Sequence, residues 1–345
     1  MSGPPAVPAP QVAGRWGGVR LALAAVLCLG LWQVVERVSG GGLHPRLPEM
    51  LAAAETMREA TRAIAAEKSA RGLMQPPEVD PNRTGLIGPE LTGLTTTMGD
   101  LASKRTVTNP DFAAALLRMV DGLGLPRGAP AVVVLSGSFV GADIASMAAL
   151  EAIGIRPVVV VSLSASMYGA TDPGFTLLDM LGTLRRRGIL ATRPSLAVFG
   201  GEAGVAHGME PEVVAALRAS AAREGVELIE EPPFPALAER LADRIRTLLG
   251  GRAPALLVNV GGALVALGTC PQSFELPPGL SRRPLGCSAG APGLVQRLAG
   301  DGGVPVLHVI NIRRMALDSG LPFDPRPLPV PGRNPAVYGR SRAVE

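Results

Sequence analysis

Serines gather where β-branched runs end. Residues 131–135 (Ala-Val-Val-Val-Leu) lead into Ser136, Gly137 and Ser138, and the run at 157–162 leads into Ser164, Ser166, Tyr168 and Thr171. A third apolar run, 255–260, contains Asn259 and stops at Gly261 and Gly262. Hydroxyls, a carboxamide and glycine-bared backbone N–H groups are the donors that carboxylates and phosphates accept. A serine hydroxyl also attacks acyl carbon when a base removes its proton. Three histidines are available. His44 lies near an N-terminal apolar segment, and His308 sits inside an apolar strand, as a satisfied core histidine would. His207 follows a glycine-rich turn, so Ser138, Asp143 and His207 are the candidate triad. Against it, Ser138 lacks the Gly-x-Ser-x-Gly elbow, since Phe139 and Val140 follow it. Lys104 and Arg105 stand in a hydroxyl-rich stretch upstream and could close an anion site with full charge. Metal-ligand spacing is absent, as are both glycine-rich nucleotide-binding patterns, so neither a metal nor a cofactor has a signal.

The elements that must hold these groups follow from the hydrophobic pattern. A β-branched run, a small-residue turn, a helical run to Gly154 and a second β-branched run make a βαβ unit over 131–162. Such units cross over right-handed, so both strands run parallel and both serine clusters fall on one carboxyl edge, where open α/β sheets bind ligands. Further strands are expected at 196–199, 226–229, 255–260 and 304–310, with helices at 175–187, 210–224 and 235–249 between or beside them. Strands alternating with helices predict a three-layer α/β sandwich with a mostly parallel sheet. Ahead of it, 45–72 has helical spacing through Met50, Ala53, Met57, Ala60 and Ile64. Residues 75–111 read as irregular turn-rich chain, ending at Asn109 and Pro110, which open a helix.

Residues 1–16 are rich in Pro, Ala and Gly and predict a disordered tail. The segment 17–36 is the one long apolar run, uncharged from Leu21 to Trp32, and reaches the ~20 residues of a membrane span if Arg20 extends to the interface. It predicts one N-terminal transmembrane helix in the lipid bilayer. Arg15 and Arg20 precede it, while Glu36 and Arg37 cancel beyond it. A cytoplasmic N-terminus, an outward-facing domain and a single-pass location in the cell membrane follow. Residues 45–320 make a single α/β domain, and 321–345 a proline-rich extended tail. The apolar fraction of 47% with only 3% aromatic implies a core of Val, Leu and Ala. A net charge of +4, with no dense basic stripe, excludes a nucleic-acid footprint. Cys28 lies in the apolar run; Cys270 and Cys287 are open to pairing or to remaining free thiols.

The ordered set of short motifs resembles the poly-γ-glutamate system protein family. It comprises Pro81-Asn-Arg-Thr-Gly-Leu-Ile-Gly88 with Glu90, Leu94-Thr-Thr-Thr97, Ser103-Lys-Arg-Thr106 with Asn109-Pro110, Ser136-Gly-Ser138, Ser164-Ala-Ser166 with Tyr168-Gly-Ala-Thr171, Asn259-Val-Gly-Gly262 and Asn311-Ile-Arg313. Members are membrane-anchored components of bacterial poly-γ-glutamate capsule or export systems. The resemblance implies a part in making or exporting a γ-linked glutamate polymer, with the other proteins of that system and the polymer itself as partners. It carries no catalytic residues with it. Two functions remain open: an accessory protein binding anionic glutamyl groups at the sheet edge, or a serine-dependent hydrolase or transferase acting on the polymer.

Overall fold

The computed structural model describes residues 15–38, 42–201, 208–230, 232–301 and 303–340. These fall into two units, one from Arg15 to His44 with 339–340, the other Pro45–Tyr338. In the first, α1 (Arg15–Val38) exposes Leu21, Leu23, Val26 and Trp32, and Leu43 bridges Gly339. Among the described residues no helix is long and apolar enough to cross a membrane. The side chains described for α1 run only from 18 to 32, short of the ~20 residues a span requires. The proposed tail at 1–16 lies almost wholly outside the described residues.

The second unit is mixed α/β. It opens with α2 (Leu47–Ala70), β1 (Thr95–Thr97), α3 (Leu101–Thr106) and α4 (Asp111–Asp121). Then come β2 (Ala131–Leu135), α5 (Val140–Ala152), β3 (Val158–Ser162), β4 (Ala165–Ser166), α6 (Leu177–Arg186) and β5 (Leu196–Val198). The chain continues through α7 (Pro211–Glu224), β6 (Glu227–Leu228), α8 (Phe234–Leu248), β7 (Leu256–Val260) and α9 (Leu264–Leu267). It closes with β8 (Gly279–Ser281), α10 (Leu294–Ala299), β9 (Val306–Val309), α11 (Ile312–Asp318) and α12 (Pro335–Tyr338). The main sheet has the order β6-β5-β3-β2-β7-β9-β8, parallel throughout except for β8.

Side-chain alternation explains why β2, β3 and β7 are continuous apolar runs. Val133, Leu135, Val159 and Val161 bury against α2, α4 and α5 on one face. Their neighbours Val132, Val134 and Val160 bury against α8 and α10 on the other. Strands covered on both faces have no side left for polar residues. From β2 the chain winds outward through β3, β5 and β6, then crosses with α8 on the opposite face to lay β7 on the other side of β2. The chain therefore leaves the adjacent strands β2 and β7 toward opposite faces, with α5 on one and α9 on the other. That is the topological switch point, where such sheets leave a crevice.

Two parts of the chain differ from the sequence expectation. The 75–111 stretch is only partly irregular. Thr95–Thr97 pairs in parallel with Ala165–Ser166, with Ala165 N–H donating to Leu94 O (3.2 Å) and Met167 N–H to Thr97 O (2.9 Å). The 321–345 tail is not extended along its length, because the fold runs on to Tyr338. Tyr338 is buried and its hydroxyl donates to Asp111 (2.5 Å), Arg118 donates to Val337 O (2.7 Å), and Asn82 donates to Pro325 O (2.9 Å). Residues 341–345 lie outside the described residues. Cys270 and Cys287 are joined by a disulfide.

Arg105 ties the C-terminal stretch through two charged hydrogen bonds. Its guanidinium donates from Nε (2.6 Å) and Nη2 (2.8 Å) to the two oxygens of Asp324, whose N–H is held by Thr106 (2.8 Å). Burial pushes the Asp324 carboxyl up, but the bonds from Arg105 and Arg326 prevail and hold it below the usual aspartate range. Arg105→Ala should destabilise the domain by about 2–3 kcal/mol. That is less than the roughly 3–5 kcal/mol of a fully buried pair, since Asp324 keeps a second partner. A depressed carboxylate contributes stability above its unfolded pKa and loses it as pH falls through the folded one. Denaturant midpoints should therefore differ at pH 7 and converge in acid; equal midpoints at pH 7 would contradict the tie.

Candidate functional site

A cavity of about 800 Å³ opens at the carboxyl edge over the switch point. Ser136 and Ser138, after β2, line one side, and Gly262 with Leu264, after β7, lines the other. Ser162, Ser164 and Ser166 line it from β3 and its continuation. The roof comes from the turn-rich 75–111 stretch: Thr96, Thr97, Gly99 and Asp100 line the cavity, and so does Lys104 of α3.

Two glycines let the serine hydroxyls approach each other. Gly261 turns the end of β7 with φ +80°, and a Cβ there would stand 2.3 Å from Ser136 Oγ. Gly200 does the same after β5 with φ +79°, where a Cβ would meet the hydroxyls of Ser164 (2.3 Å) and Ser162 (2.4 Å). A side chain at either position would be strained and would fill the space the hydroxyls occupy.

Lys104 is the polar centre of the site. It is 2% exposed, yet its Nζ reaches Ser166 Oγ at 2.5 Å and donates to the carbonyl oxygen of Ser138. Phe139 covers it, with the ammonium 4.5 Å from the ring centre. Burial strips water from the ammonium and lowers its pKa to about 7, against the opposing pull of Asp143 and Asp100. Neither carboxylate forms an ion pair with it. Asp100 caps α3, accepting from Ser103 N–H (3.0 Å) and Ser103 Oγ (2.5 Å), which hold its carboxyl below the usual range despite burial. Asp143 is wholly buried, and burial pushes its carboxyl well above the usual range. The N–H groups of Ser136 and Gly137 and the Lys104 ammonium oppose that shift, though neither Asp143 oxygen completes a hydrogen bond of normal geometry. Lys104 can thus be ammonium or free amine at neutral pH, and in either form it faces a serine hydroxyl.

Ser138 and Ser166 are coupled as well, since Ser166 N–H donates to Ser138 Oγ (3.1 Å) and Ser138 N–H to Ser136 Oγ (3.3 Å). Ser166 closes β4, opposite Thr97 of β1. The roof therefore supplies the amine and also fixes the strand that carries its partner. Helix α5 begins at the same edge, directly after Phe139, which lines the cavity.

Of the residues singled out from sequence, the fold brings Lys104, Ser136, Ser138, Ser164, Ser166 and Gly262 to the cavity. The others lie elsewhere, each for a visible reason. Arg105 turns away to Asp324, and Thr171 donates to Pro89 O (2.7 Å). Tyr168 takes a left-handed conformation (φ 63°) and bonds through its N–H to the same carbonyl (3.1 Å). Gly137 accepts the Ala170 N–H (2.8 Å) behind the serine turn. Asn259 is fully buried and donates to Gly261 O (3.0 Å) and to His308 Nδ1 (2.9 Å), so it shapes the turn from below. His308 is the core histidine foreseen, pushed by burial down to about 4 and hence neutral, with Nε2 carrying its proton. His207 lies outside the described residues. Asp143 does not reach the cavity, and its burial leaves it unsuited to orient a histidine there.

In sequence, Lys104 and Arg105 stand side by side as two charges that could close the site. A compositional signal separates them: of 33 basic residues only Lys68 and Lys104 are lysines, and both are buried. Lys68 ties α2 to Ile87 O (3.2 Å), whereas Lys104 opens to a cavity. Only a lysine can lose its proton near neutrality. No family model matches this chain, nor does any curated protein or solved structure.

Proposed function

We propose that this chain is a membrane-anchored component of bacterial poly-γ-glutamate synthesis or export whose cavity binds anionic γ-glutamyl groups. The observation that carries the binding reading is Lys104, a buried cation lining a hydroxyl-rich cavity of about 800 Å³ with no ion pair to a carboxylate among the described residues. Desolvated charge favours an incoming anion far more than a surface lysine does. The hydroxyls of Ser136, Ser138 and Ser164 add neutral donors. A volume in this range accommodates a few linked residues. The polymer itself comes from the family resemblance of the motifs, several of which converge on this cavity.

The membrane attachment rests on the apolar run at 17–36, within which α1 lies helical and exposed from 18 to 32. Arg15 and Arg20 favour a cytoplasmic N-terminus and an outward domain. The Cys270–Cys287 disulfide suits that oxidising side. The full-length chain should remain with membranes through alkaline washing, and recovery in the soluble fraction would count against the anchor.

Calorimetric titration with γ-linked glutamate oligomers tests the site. Saturable binding is expected, with Lys104→Met costing about 1.5–3 kcal/mol, roughly ten- to a hundredfold in Kd. A bound carboxylate stabilises the ammonium and raises its pKa, so binding takes up a proton. Affinity should fall about tenfold from pH 6 to pH 8 as the free protein loses that proton. Absence of saturable binding at either pH contradicts the reading.

A further inference from the structure

The pairing of Lys104 with Ser166 is more than an anion site requires. Enclosure by itself serves a carboxylate ligand, but a serine hydroxyl 2.5 Å away and a pKa lowered to about 7 add nothing to its binding. A nucleophile and its base require both features. Resting on the reading of the cavity as a γ-glutamyl site, we propose that Ser166 and Lys104 form a serine–lysine acyl-transfer centre that cleaves γ-glutamyl amide bonds.

The surrounding geometry assigns the roles. As a free amine, Lys104 keeps one N–H on the Ser138 carbonyl, which leaves its lone pair for the Ser166 hydroxyl. Ser166 Oγ forms a bond to the γ-carbonyl carbon while its proton passes to Lys104 Nζ. The carbonyl π electrons move to oxygen, giving a tetrahedral oxyanion at the sheet edge. Collapse breaks the C–N bond, and Lys104 returns the proton to the departing amine, leaving an acyl-serine ester. Water, or the amino group of a second chain, then adds to the ester carbon. Its proton moves through Lys104 to Ser166 as the C–O bond breaks. Water as acceptor trims the polymer, and an amine acceptor transfers it; neither step needs an oxidant, a metal or a nucleotide.

Ser138 is a positioning residue, because its hydroxyl accepts the Ser166 N–H (3.1 Å) and its carbonyl anchors Lys104. The groups bearing on the amine are Asp143 from α5, Asp100 at the α3 cap and the Phe139 ring. Both carboxylates favour the ammonium, so removing either would make Lys104 a more readily deprotonated base.

The test is labelling of the purified full-length chain with a fluorophosphonate, with the adduct located by peptide mass spectrometry. One adduct on Ser166 is expected in the wild-type protein, so the result does not depend on any variant folding. Its rate should rise about tenfold from pH 6 to pH 8, the opposite slope to oligomer binding, because attack needs the free amine and binding the ammonium. Ser166→Ala should abolish labelling. Lys104→Met should slow labelling a hundredfold or more, and Ser138→Ala should slow it while keeping the same pH profile. An adduct on Ser138, or none on a protein that binds oligomers normally, overturns the acyl-transfer centre and leaves the binding reading standing. An adduct on Ser166 in a protein that neither binds nor cleaves γ-linked oligomers overturns the assigned substrate.

Discussion

The removal of water from one amine constrains much of the rest of this domain. Lys104 is carried on a six-residue helix, which alone could not hold a long side chain in place. It is fixed because α3 is capped by Asp100, because β1 is hydrogen-bonded to β4, and because Arg105, its neighbour, is clamped to Asp324. Arg105 and Lys104 thus divide the labour of adjacent basic residues. The arginine, which stays charged, is satisfied by a carboxylate and holds the helix; the lysine, free to lose its proton, faces the cavity.

The sheet makes the complementary half of the site. Parallel strands buried on both faces leave their polar ends as the only place where side chains can gather, and right-handed crossovers bring those ends to one edge. Small residues then decide how near the hydroxyls come to one another. Gly200 and Gly261 occupy the two turns where a Cβ would displace serine hydroxyls. The core beneath is built from Val, Leu and Ala, with the polar pair Asn259 and His308 tying β7 to β9 just below the turn. The cavity therefore has a rigid floor and a roof set by a separate stretch of chain.

The parallel sheet was legible because its signals are local. Valine runs bounded by turns mark β2, β3 and β7, and the serine clusters fall at their ends through topology alone. What the sequence concealed was long-range pairing. Thr95–Thr97 forms a strand only because Ala165–Ser166 offers it a partner. Its three β-branched residues were a faint sign among turn-forming neighbours. The roles of Lys104 and Arg105 were hidden for the same reason, since Asp324 lies 219 positions away. Burial separated the remaining candidates. Asn259 and Thr171 resemble ligand donors in sequence, but their hydrogen bonds are consumed within the fold.

Direct titration of Lys104 tests the central claim. The chain holds two lysines, so selective ¹³Cε-lysine labelling leaves two ε-methylene signals, assignable with Lys104→Arg. The account predicts that the Lys104 signal titrates at about 7, where burial places it, with Lys68 at about 8. A Lys104 titration at the ordinary lysine value of 10.5 would mean that water reaches the amine. The base, the desolvated anion site and the arrangement built around them would then all be contradicted.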